Sequence, residues 1–591
     1  MDSIPEHIMI KVFKILDKNS IKSASKVCRR WQHIISSSSA LINRLDTIFN
    51  MKNSKKLTES IKELDNIPYK SVVFRPKFYQ DNKLLQRSLK ALKKHKQHVE
   101  KIEFFLASCS TILQTVNALS GDKITNLTIS QSYKEYIDDF TGLNLPNLKS
   151  LETHQASGML KMIKVHKIEH LKIIHDYDDY DTADDKINTF LMTCPELKTL
   201  LFEHHFPIIE TAKMPFKLTH LTVSNIEERQ KFFCRRQLDT LKKLIEANFE
   251  TLELFLLGNY GAVDGLLEFM LPKAKKLQYL FLVCPTFNRI EENISKNRSI
   301  TDMALTLAHH CDSNVGKTRK IIRACPGLQK LSLNSITHDV SPLIQEAAWS
   351  LPNLKDLSIF STKGRSFNHI PQLKALEILY VERITSQADI KPLVNLILAA
   401  PKLKKLKIEL WGGDRLAFLS KDRLRKILTT CTELEEIFIG GLFKLPNSFV
   451  EGLLETESNL KNLIIETYDV EMIQKNAEKL LDTNIRCTAL QWYPKRKNED
   501  EAKCSDDEDY DFVDEGPQEA DYIDFNDFLN YGINNDGFES SDDEEADNLL
   551  FGGDDDDDRN LRVDQEERNE DVDDRFDDLG RRRSKRLRLM R

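Results

Sequence analysis

Several kinds of segment are absent from this sequence, and each absence argues against a class of protein. No run approaches the roughly 18 apolar residues that a membrane-spanning helix needs, and the first residues lack the apolar core of a secretory signal peptide. The 10 cysteines are scattered without a CxxC pair, which is typical of a reduced compartment. We therefore expect a protein of the cytoplasm, the nucleus or both, with no membrane association.

Signatures of catalysis and of cofactor binding are missing as well. The sequence holds no P-loop, no GxGxxG after a strand, no HExxH and no kinase motif. Catalysis needs a reactive group placed beside its partners, and no residue is singled out for that role. We predict that the chain is not an enzyme and that it has no catalytic residue, cofactor or metal ion.

Acidic and basic residues are separated along the chain, so the formal net charge of −7 is a poor guide to partners. Residues 499–580 contain 35 acidic and 5 basic side chains, residues 581–591 contain 7 basic ones, and residues 1–498 therefore carry +16. The acidic segment has too few apolar residues to form a core, which predicts a disordered tail over 496–591 with a basic tip. The tip is either an import or nucleic-acid segment or a solvated end that pairs with the acidic run.

The first 48 residues show apolar side chains at helical spacing. These are Ile8, Val12, Ile15 and Leu16, followed by Ala24, Val27, Trp31 and Ile34. Pro5 stands where a helix can begin, because its missing N–H would have no intrahelical partner. A unit of about three short helices is too small to bury a stable core alone, so it needs a neighbouring domain or a partner.

This segment resembles the F-box, a helical module that docks onto the Skp-type adaptor of cullin-based ubiquitin ligases. The resemblance is carried by Ile4–Pro5, Ile8, Phe13, Leu16–Asp17, Ile21, Val27–Cys28–Arg29 and Trp31. It departs from the family at Ile4 and Ile21, where Leu is usual, and at His7, where an acidic residue is common. The resemblance implies an adaptor-binding set of Ile4, Pro5, Ile8, Phe13, Leu16 and Ile21. We expect Val27 and Trp31 to hold the helices together; a helical cap on the next domain is the alternative.

A short unit of the form LxxLxL recurs through the middle of the chain, for example at Leu277-x-x-Leu280-x-Leu282. Copies follow at about 20 to 31 residues, and the unit resembles the leucine-rich repeats that follow many F-boxes. Alternation within each unit predicts a strand with one buried face, and helical patterns lie between the strands. We predict an α/β chain with a three-helix F-box over 1–48, a helical linker over 49–66 and a curved leucine-rich-repeat solenoid over 67–495. The solenoid should have about 15 to 16 units.

One column of residues in these units is predicted to bind protein. In the unit L-x-x-L-x-L-x the third, fifth and seventh residues point away from the core, toward the concave face of the solenoid. We expect the substrate-binding residues to be Phe255, Tyr279, Phe281, Phe360, Tyr380, Lys405, Lys407 and Phe438. Aromatic side chains surrounded by charge are typical of interface hot spots, whereas the early repeats present smaller polar groups.

These expectations combine into one predicted function, the substrate-recognition subunit of an SCF-type ubiquitin ligase. The F-box would bind a Skp-type adaptor and cullin, and the concave face would hold a protein substrate that the sequence does not identify. Rate would be gained by proximity alone, and we expect a monomer within a hetero-complex. Two alternatives stay open: a leucine-rich-repeat scaffold without a ubiquitin role, and a nuclear nucleic-acid- or chromatin-associated protein, although nucleic acid is the less expected partner.

Overall fold

The structure is a computed structural model that describes residues 4–491 with internal gaps. The gaps are 51–53, 67–68, 76–81, 106, 120, 131–141, 155–159, 161–162, 166, 175–179, 212–213, 226–234, 260–264, 284–289, 291–293, 308–313, 336–338, 362–369, 386, 411–419, 442–446 and 468–484. The tail that we predict to be disordered, 496–591, lies outside the described residues.

Four short helices open the chain: α1 (Glu6–Ile15), α2 (Lys18–Ser25), α3 (Arg29–Ser37) and α4 (Ser39–Ile42). Pro5 immediately precedes α1, as its fixed φ favours. Asp17 caps α2, because its carboxylate accepts a hydrogen bond from the backbone N–H of Ser20 at 2.7 Å. The N-terminal region is therefore helical, as predicted, with α4 as one short helix more than expected.

Within the described residues, a long sheet of 18 parallel strands follows these helices. The strands of the chain are β1 (Asp46–Asn50), β2 (Ser71–Arg75), β3 (Lys101–Phe105), β4 (Asn126–Ser130), β5 (Leu143–Asn144), β6 (Ser150–His154), β7 (Ile163–Lys164), β8 (His170–Ile174), β9 (Thr199–Glu203), β10 (His220–Asn225), β11 (Leu254–Asn259), β12 (Tyr279–Val283), β13 (Asp302–Leu307), β14 (Lys330–Ser335), β15 (Asp356–Ser361), β16 (Ile378–Ile384), β17 (Lys405–Leu410), β18 (Glu436–Gly441), β19 (Asn462–Thr467) and β20 (Arg486–Gln491). Each strand of the large sheet pairs with the next one in chain order, and β5 and β7 form a separate small pair.

Helices supply many of the crossovers that parallel neighbours require. They are α5 (Ser54–Asn66), α6 (Asn82–His95), α7 (Cys109–Leu119), α8 (Tyr180–Leu191), α9 (Arg235–Ala247), α10 (Leu266–Met270), α11 (Asn314–Ala324), α12 (Ser341–Ser350), α13 (Ile390–Leu398), α14 (Lys421–Thr430) and α15 (Asn447–Leu454), with a 3₁₀ turn at Gln387–Asp389. Among these described helices, none has the length and apolar character to cross a membrane.

The strand register aligns two apolar columns along one face of the sheet. Leu331, Leu357 and Leu379 occupy the same position in successive strands, and all three are buried. They join helix residues such as Leu343 in one continuous hydrophobic core. Side chains alternate between the two faces of a strand, so the remaining positions lie on the face opposite the helices, which we call the open face. The arrangement is consistent with a solenoid.

The sheet begins earlier than the sequence predicts. β1 pairs in register with β2, and α5 is the crossover between them. The segment 49–66, predicted as a helical linker, contains helix α5 and also the last residues of β1, so its helix connects two strands of the sheet. The signal was missed because Thr47 and Phe49, rather than leucines, fill the buried positions of β1.

Candidate protein-binding surfaces

Helix α1 is apolar on two sides. Met9 and Phe13 face inward and are buried, and the Trp31 ring meets the Phe13 ring edge-on at 5.3 Å. On the other side Ile8, Val12 and Ile15 repeat at helical spacing and are 39%, 46% and 83% exposed. A helix of a domain that binds nothing needs only one apolar side. We call Ile8, Val12 and Ile15 the outer stripe, which is an apolar patch exposed on the helix surface.

The predicted adaptor-binding residues divide into three groups. Pro5 and Ile8 are exposed, whereas Ile4 and Leu16 are half-buried and pack against the core. Phe13 and Ile21 are 1% and 0% exposed. Their assignment as contact residues is corrected, because side chains enclosed by their own core offer no surface to a partner.

Two residues that we expected inside the module behave differently from each other. Trp31 packs against Phe13, as expected. Val27 follows the end of α2 and is 64% exposed, so it does not hold the helices together. The exposure of Val12, Ile15 and Val27 was missed, although the helical spacing of the first two was visible in the sequence, because the same segment carries a second apolar side.

A polar cluster joins α2 to the first strands of the sheet. Asp46 of β1 forms an ion pair with Lys18, and its carboxylate lies 3.7 Å from Lys22 Nζ. Lys22 Nζ also lies 5.9 Å from the centre of the Tyr69 ring. Burial lowers the pKa of Lys22, against the attraction of Asp46, and burial likewise raises the pKa of Tyr69. Together with the continuous core, this cluster fixes the helical module against β1.

Four side chains from β15 to β18 stack across the open face, and we call Phe360, Tyr380, Lys407 and Phe438 the aromatic ladder. The rings of Phe360 and Tyr380 meet edge-on at 5.2 Å. Lys407 Nζ lies 4.5 Å from the centre of the Tyr380 ring and 5.0 Å from that of Phe438. The ammonium group is therefore held between two ring faces, an arrangement that is favourable by roughly 0.5–2 kcal/mol per contact.

Polar contacts and one glycine fix the ladder in place. The Tyr380 hydroxyl donates a hydrogen bond to Glu409 at 2.7 Å, and the same carboxylate lies 3.4 Å from Lys407 Nζ. A Cβ at Gly440 would come 2.8 Å from the Phe438 ring, closer than real contacts allow. The glycine therefore leaves room for this ring, and the ladder is assembled before any partner arrives.

The predicted substrate-binding residues are only partly at the surface. Lys405 is exposed, and Tyr279, Phe360, Lys407 and Phe438 are half-buried. Tyr380 and Phe281 are 6% and 5% exposed, so each contributes little direct contact area. Their assignment as contact residues is corrected to a supporting role on the open face.

Phe255 is assigned to the wrong face. It pairs with Leu221 on one side and Leu280 on the other, in the buried column, and it is 0% exposed. The sequence allows two frames three residues apart, one beginning at Phe249 and one at Leu252. The hydrogen-bonded register selects the second frame, which turns Phe255 toward the helices.

The early strands present a different open face. Lys172 Nζ lies 3.1 Å from Glu152 and 3.1 Å from Glu203, on the strands either side of it. Burial opposes the charge on Lys172, but Glu203 and Glu152 outweigh this effect and raise its pKa. These charges satisfy one another, and the middle positions of β4 and β9 carry Thr128 and Leu201 rather than rings.

The described residues offer no assembled group for chemistry. Burial raises the pKa of Cys194 to about 11, of Cys325 to about 12 and of Cys431 to about 11, so these thiols are poor nucleophiles. Within the described ranges no three metal-binding side chains converge.

The chain is thus a mixed α/β protein in which a helical N-terminal region precedes a long parallel sheet. A family model described as F-box-like matches residues 1–47, and the chain carries an F-box-like domain there. Among solved structures it is similar to the crystal structure of the Rad7 and Elc1 complex in yeast, with 12% identity, a TM-score of 0.27 and coverage of 76% of this chain and 88% of that chain. No curated protein matches the sequence.

Proposed function

We propose that this chain is the substrate-recognition subunit of an SCF-type ubiquitin ligase. In this proposal the F-box-like domain binds a Skp-type adaptor and, through it, a cullin. The parallel sheet is a leucine-rich-repeat solenoid whose open face is concave and holds a protein substrate. The chain itself would do no chemistry and would act by holding the substrate near the ubiquitin-conjugating enzyme, in the cytoplasm, the nucleus or both.

The observation that carries the proposal is the outer stripe of α1. It lies within the matched residues 1–47 and exposes three aliphatic side chains on one helix face. Interfaces of permanent complexes are more apolar than the rest of a protein surface. A lasting partner that covers Ile8, Val12 and Ile15 is therefore the simplest reason to keep these side chains outside.

The repeat type and the substrate face rest on further observations. The buried strand positions follow the LxxLxL spacing through much of the sheet, as Leu354, Leu357 and Ile359 do. The aromatic ladder supplies rigid rings next to charges on the open face, which is the composition of an interface hot spot. Its Lys407–Glu409 pair would favour a partner that complements both charges.

The proposal is tested by affinity purification of the tagged full-length chain from cells. The variant Ile8→Asp with Val12→Asp places two carboxylates in the outer stripe without touching the core. We expect a Skp-type adaptor and a cullin to copurify with the wild-type chain and to be lost from the variant, since two buried unpaired charges would weaken the interface at least about a hundredfold.

Leu454→Asp is the matched control, because Leu454 is 44% exposed on the distant helix α15. The control should retain adaptor and cullin at the wild-type level. Retention of both partners by the outer-stripe variant would contradict the proposal and would favour a scaffold without a ubiquitin role.

A further inference from the structure

Beyond residue 47, Trp349 is the most exposed large apolar side chain that the structure describes. It lies near the end of α12 and is 62% exposed. Tryptophan is on average a highly buried residue, so the exposure of Trp349 on the helix side of the sheet is unusual. The charged residues of α11 and α12 suggest a binding role for it.

A buried carboxylate one helical turn before Trp349 positions two arginines. Glu346 accepts hydrogen bonds from Arg323 Nε at 2.9 Å and Nη2 at 2.8 Å, and Arg319 Nη2 lies 3.2 Å away. Ser350 Oγ donates a further hydrogen bond at 2.6 Å. The hydrogen bonds from Arg323 lead the causes that lower the pKa of Glu346 to about 2.

The carboxylate is inside while the guanidinium groups remain at the surface. Glu346 is 2% exposed, whereas the side chains of Arg319 and Arg323 are 36% and 56% exposed. A guanidinium has five N–H donors, so each arginine can hold Glu346 and still present donors outward. Residues three apart on a helix lie side by side, which places Trp349 next to Glu346 on α12.

The surface around Trp349 is cationic. Helix α11 carries Lys317, Arg319, Lys320 and Arg323 and no acidic residue, and α12 carries Glu346 alone. Trp and Arg are the residues most enriched in interface hot spots. We call Lys317, Arg319, Arg323 and Trp349 the α11–α12 patch.

We propose that the α11–α12 patch binds an acidic segment of a partner protein, with a large apolar side chain of that segment against Trp349. The charge of the patch selects acidic residues, and the exposed indole supplies the apolar anchor. Nucleic acid is the less suitable polyanion, because its affinity comes from cations along many phosphates. Here Lys320 Nζ donates to the Ile290 carbonyl at 3.1 Å, so the patch offers the three cations Lys317, Arg319 and Arg323 rather than a long row of them.

This site is independent of the proposed function, because it lies on the helix side of the sheet and uses neither the outer stripe nor the aromatic ladder. A ligase subunit could hold a regulator there, and a scaffold could hold a second component. Loss of adaptor binding in the purification described above would not affect the site.

The test uses the full-length chain and a short fluorescent peptide of aspartates with a central phenylalanine. Binding is followed by fluorescence anisotropy as salt is raised, and by the indole emission, which should shift to shorter wavelength as Trp349 becomes covered. We expect Trp349→Ala to weaken binding at least about tenfold and Trp349→Phe to restore part of it. Lys317→Glu should also weaken binding, and the loss of affinity should be larger at low salt than at high salt.

Leu454→Ala is the matched control, since it removes another exposed apolar side chain from a helix on the same side of the sheet, and it should leave peptide binding unchanged. Equal binding of the peptide by wild type and Trp349→Ala would overturn the proposal. Tighter binding of a single-stranded oligonucleotide than of the peptide, lost in Trp349→Ala, would also overturn it and would assign the patch to nucleic acid.

Discussion

The outer stripe of α1 and the aromatic ladder of the open face are two surfaces of opposite character. Ile8, Val12 and Ile15 are aliphatic and strongly exposed, and they carry no polar atom of their own in the side chain. In the ladder, Tyr380 is almost buried, Lys407 is held between two rings, and Glu409 binds both. The outer stripe therefore exposes apolar side chains to water, whereas the polar groups of the ladder already have hydrogen-bond or ion-pair partners.

Under the proposed function, the difference would set how long each surface stays bound. Exposed aliphatic side chains cost free energy until a partner covers them, so the outer stripe suits a permanent subunit. A surface that is rigid and satisfied before binding costs little to leave free, which suits a partner that arrives and departs. A ligase subunit needs one surface of each kind.

The largest expected effect separates the two sides of α1. Phe13→Ala removes a ring that is 1% exposed and should destabilise the fold by about 3–5 kcal/mol. Ile8 lies on the other side of the same helix and is 39% exposed. Ile8→Ala should therefore change the free energy of unfolding by no more than about 0.5 kcal/mol. Chemical unfolding of both variants measures the contrast. Equal destabilisation would show that the outer stripe belongs to the core.

The second prediction concerns the ladder. Phe360→Ala with Phe438→Ala removes its two half-buried outer rings, and substrate capture should weaken by roughly 2 kcal/mol or more. Substrate is measured by crosslinking and mass spectrometry on the purified full-length chain. Adaptor binding should be unchanged. The control is a double alanine substitution on the early strands, Thr128→Ala with Leu201→Ala, which should leave substrate capture intact. If the early-strand control lost substrate while the ladder variant kept it, the substrate site would lie on the early strands and not on the ladder.

The smallest expected effect is a pH dependence on β15, the first strand of the ladder. Burial raises the pKa of Asp356 to about 6, with Lys330 opposing the shift and Asp302 adding to it. Because the folded chain holds this proton more tightly than the unfolded chain, Asp356 lowers stability as pH rises from about 4 to about 6, and the cost persists above that. Asp356→Asn should therefore raise the free energy of unfolding at pH 7 by about 1–2 kcal/mol.

The gain from Asp356→Asn should shrink as the pH falls toward 4, because the wild-type carboxyl is then protonated in the folded chain and about half protonated in the unfolded chain. Thermal unfolding at the two pH values measures the difference. A gain that is the same at both pH values would show that the carboxyl is charged in the folded chain throughout this range.

Much of the architecture was predictable from periodicity. The buried columns follow from apolar residues at fixed spacing, and the helical N-terminal region follows from the spacing around Ile8 and Trp31. What failed was the choice between equivalent patterns. Phe255 fits two frames, and only its hydrogen-bonded neighbours Leu221 and Leu280 decide between them.

The candidate surfaces were less predictable, because exposure depends on packing between distant segments. The spacing of Phe13 and Ile8 shows two apolar sides of α1 without showing which side is inside. Trp349 stands in an ordinary helical segment, and only the tertiary contacts of Glu346 with α11 reveal it as part of a cationic patch.

In the proposed function, the F-box-like domain binds a Skp-type adaptor through the outer stripe. Titration calorimetry of the purified full-length chain with a purified Skp-type adaptor tests it most directly. We expect a one-to-one complex with a Kd of about 1 µM or tighter, weakened at least about a hundredfold by Ile8→Asp with Val12→Asp. Absence of binding by the wild-type chain, or equal binding by the variant, would contradict it.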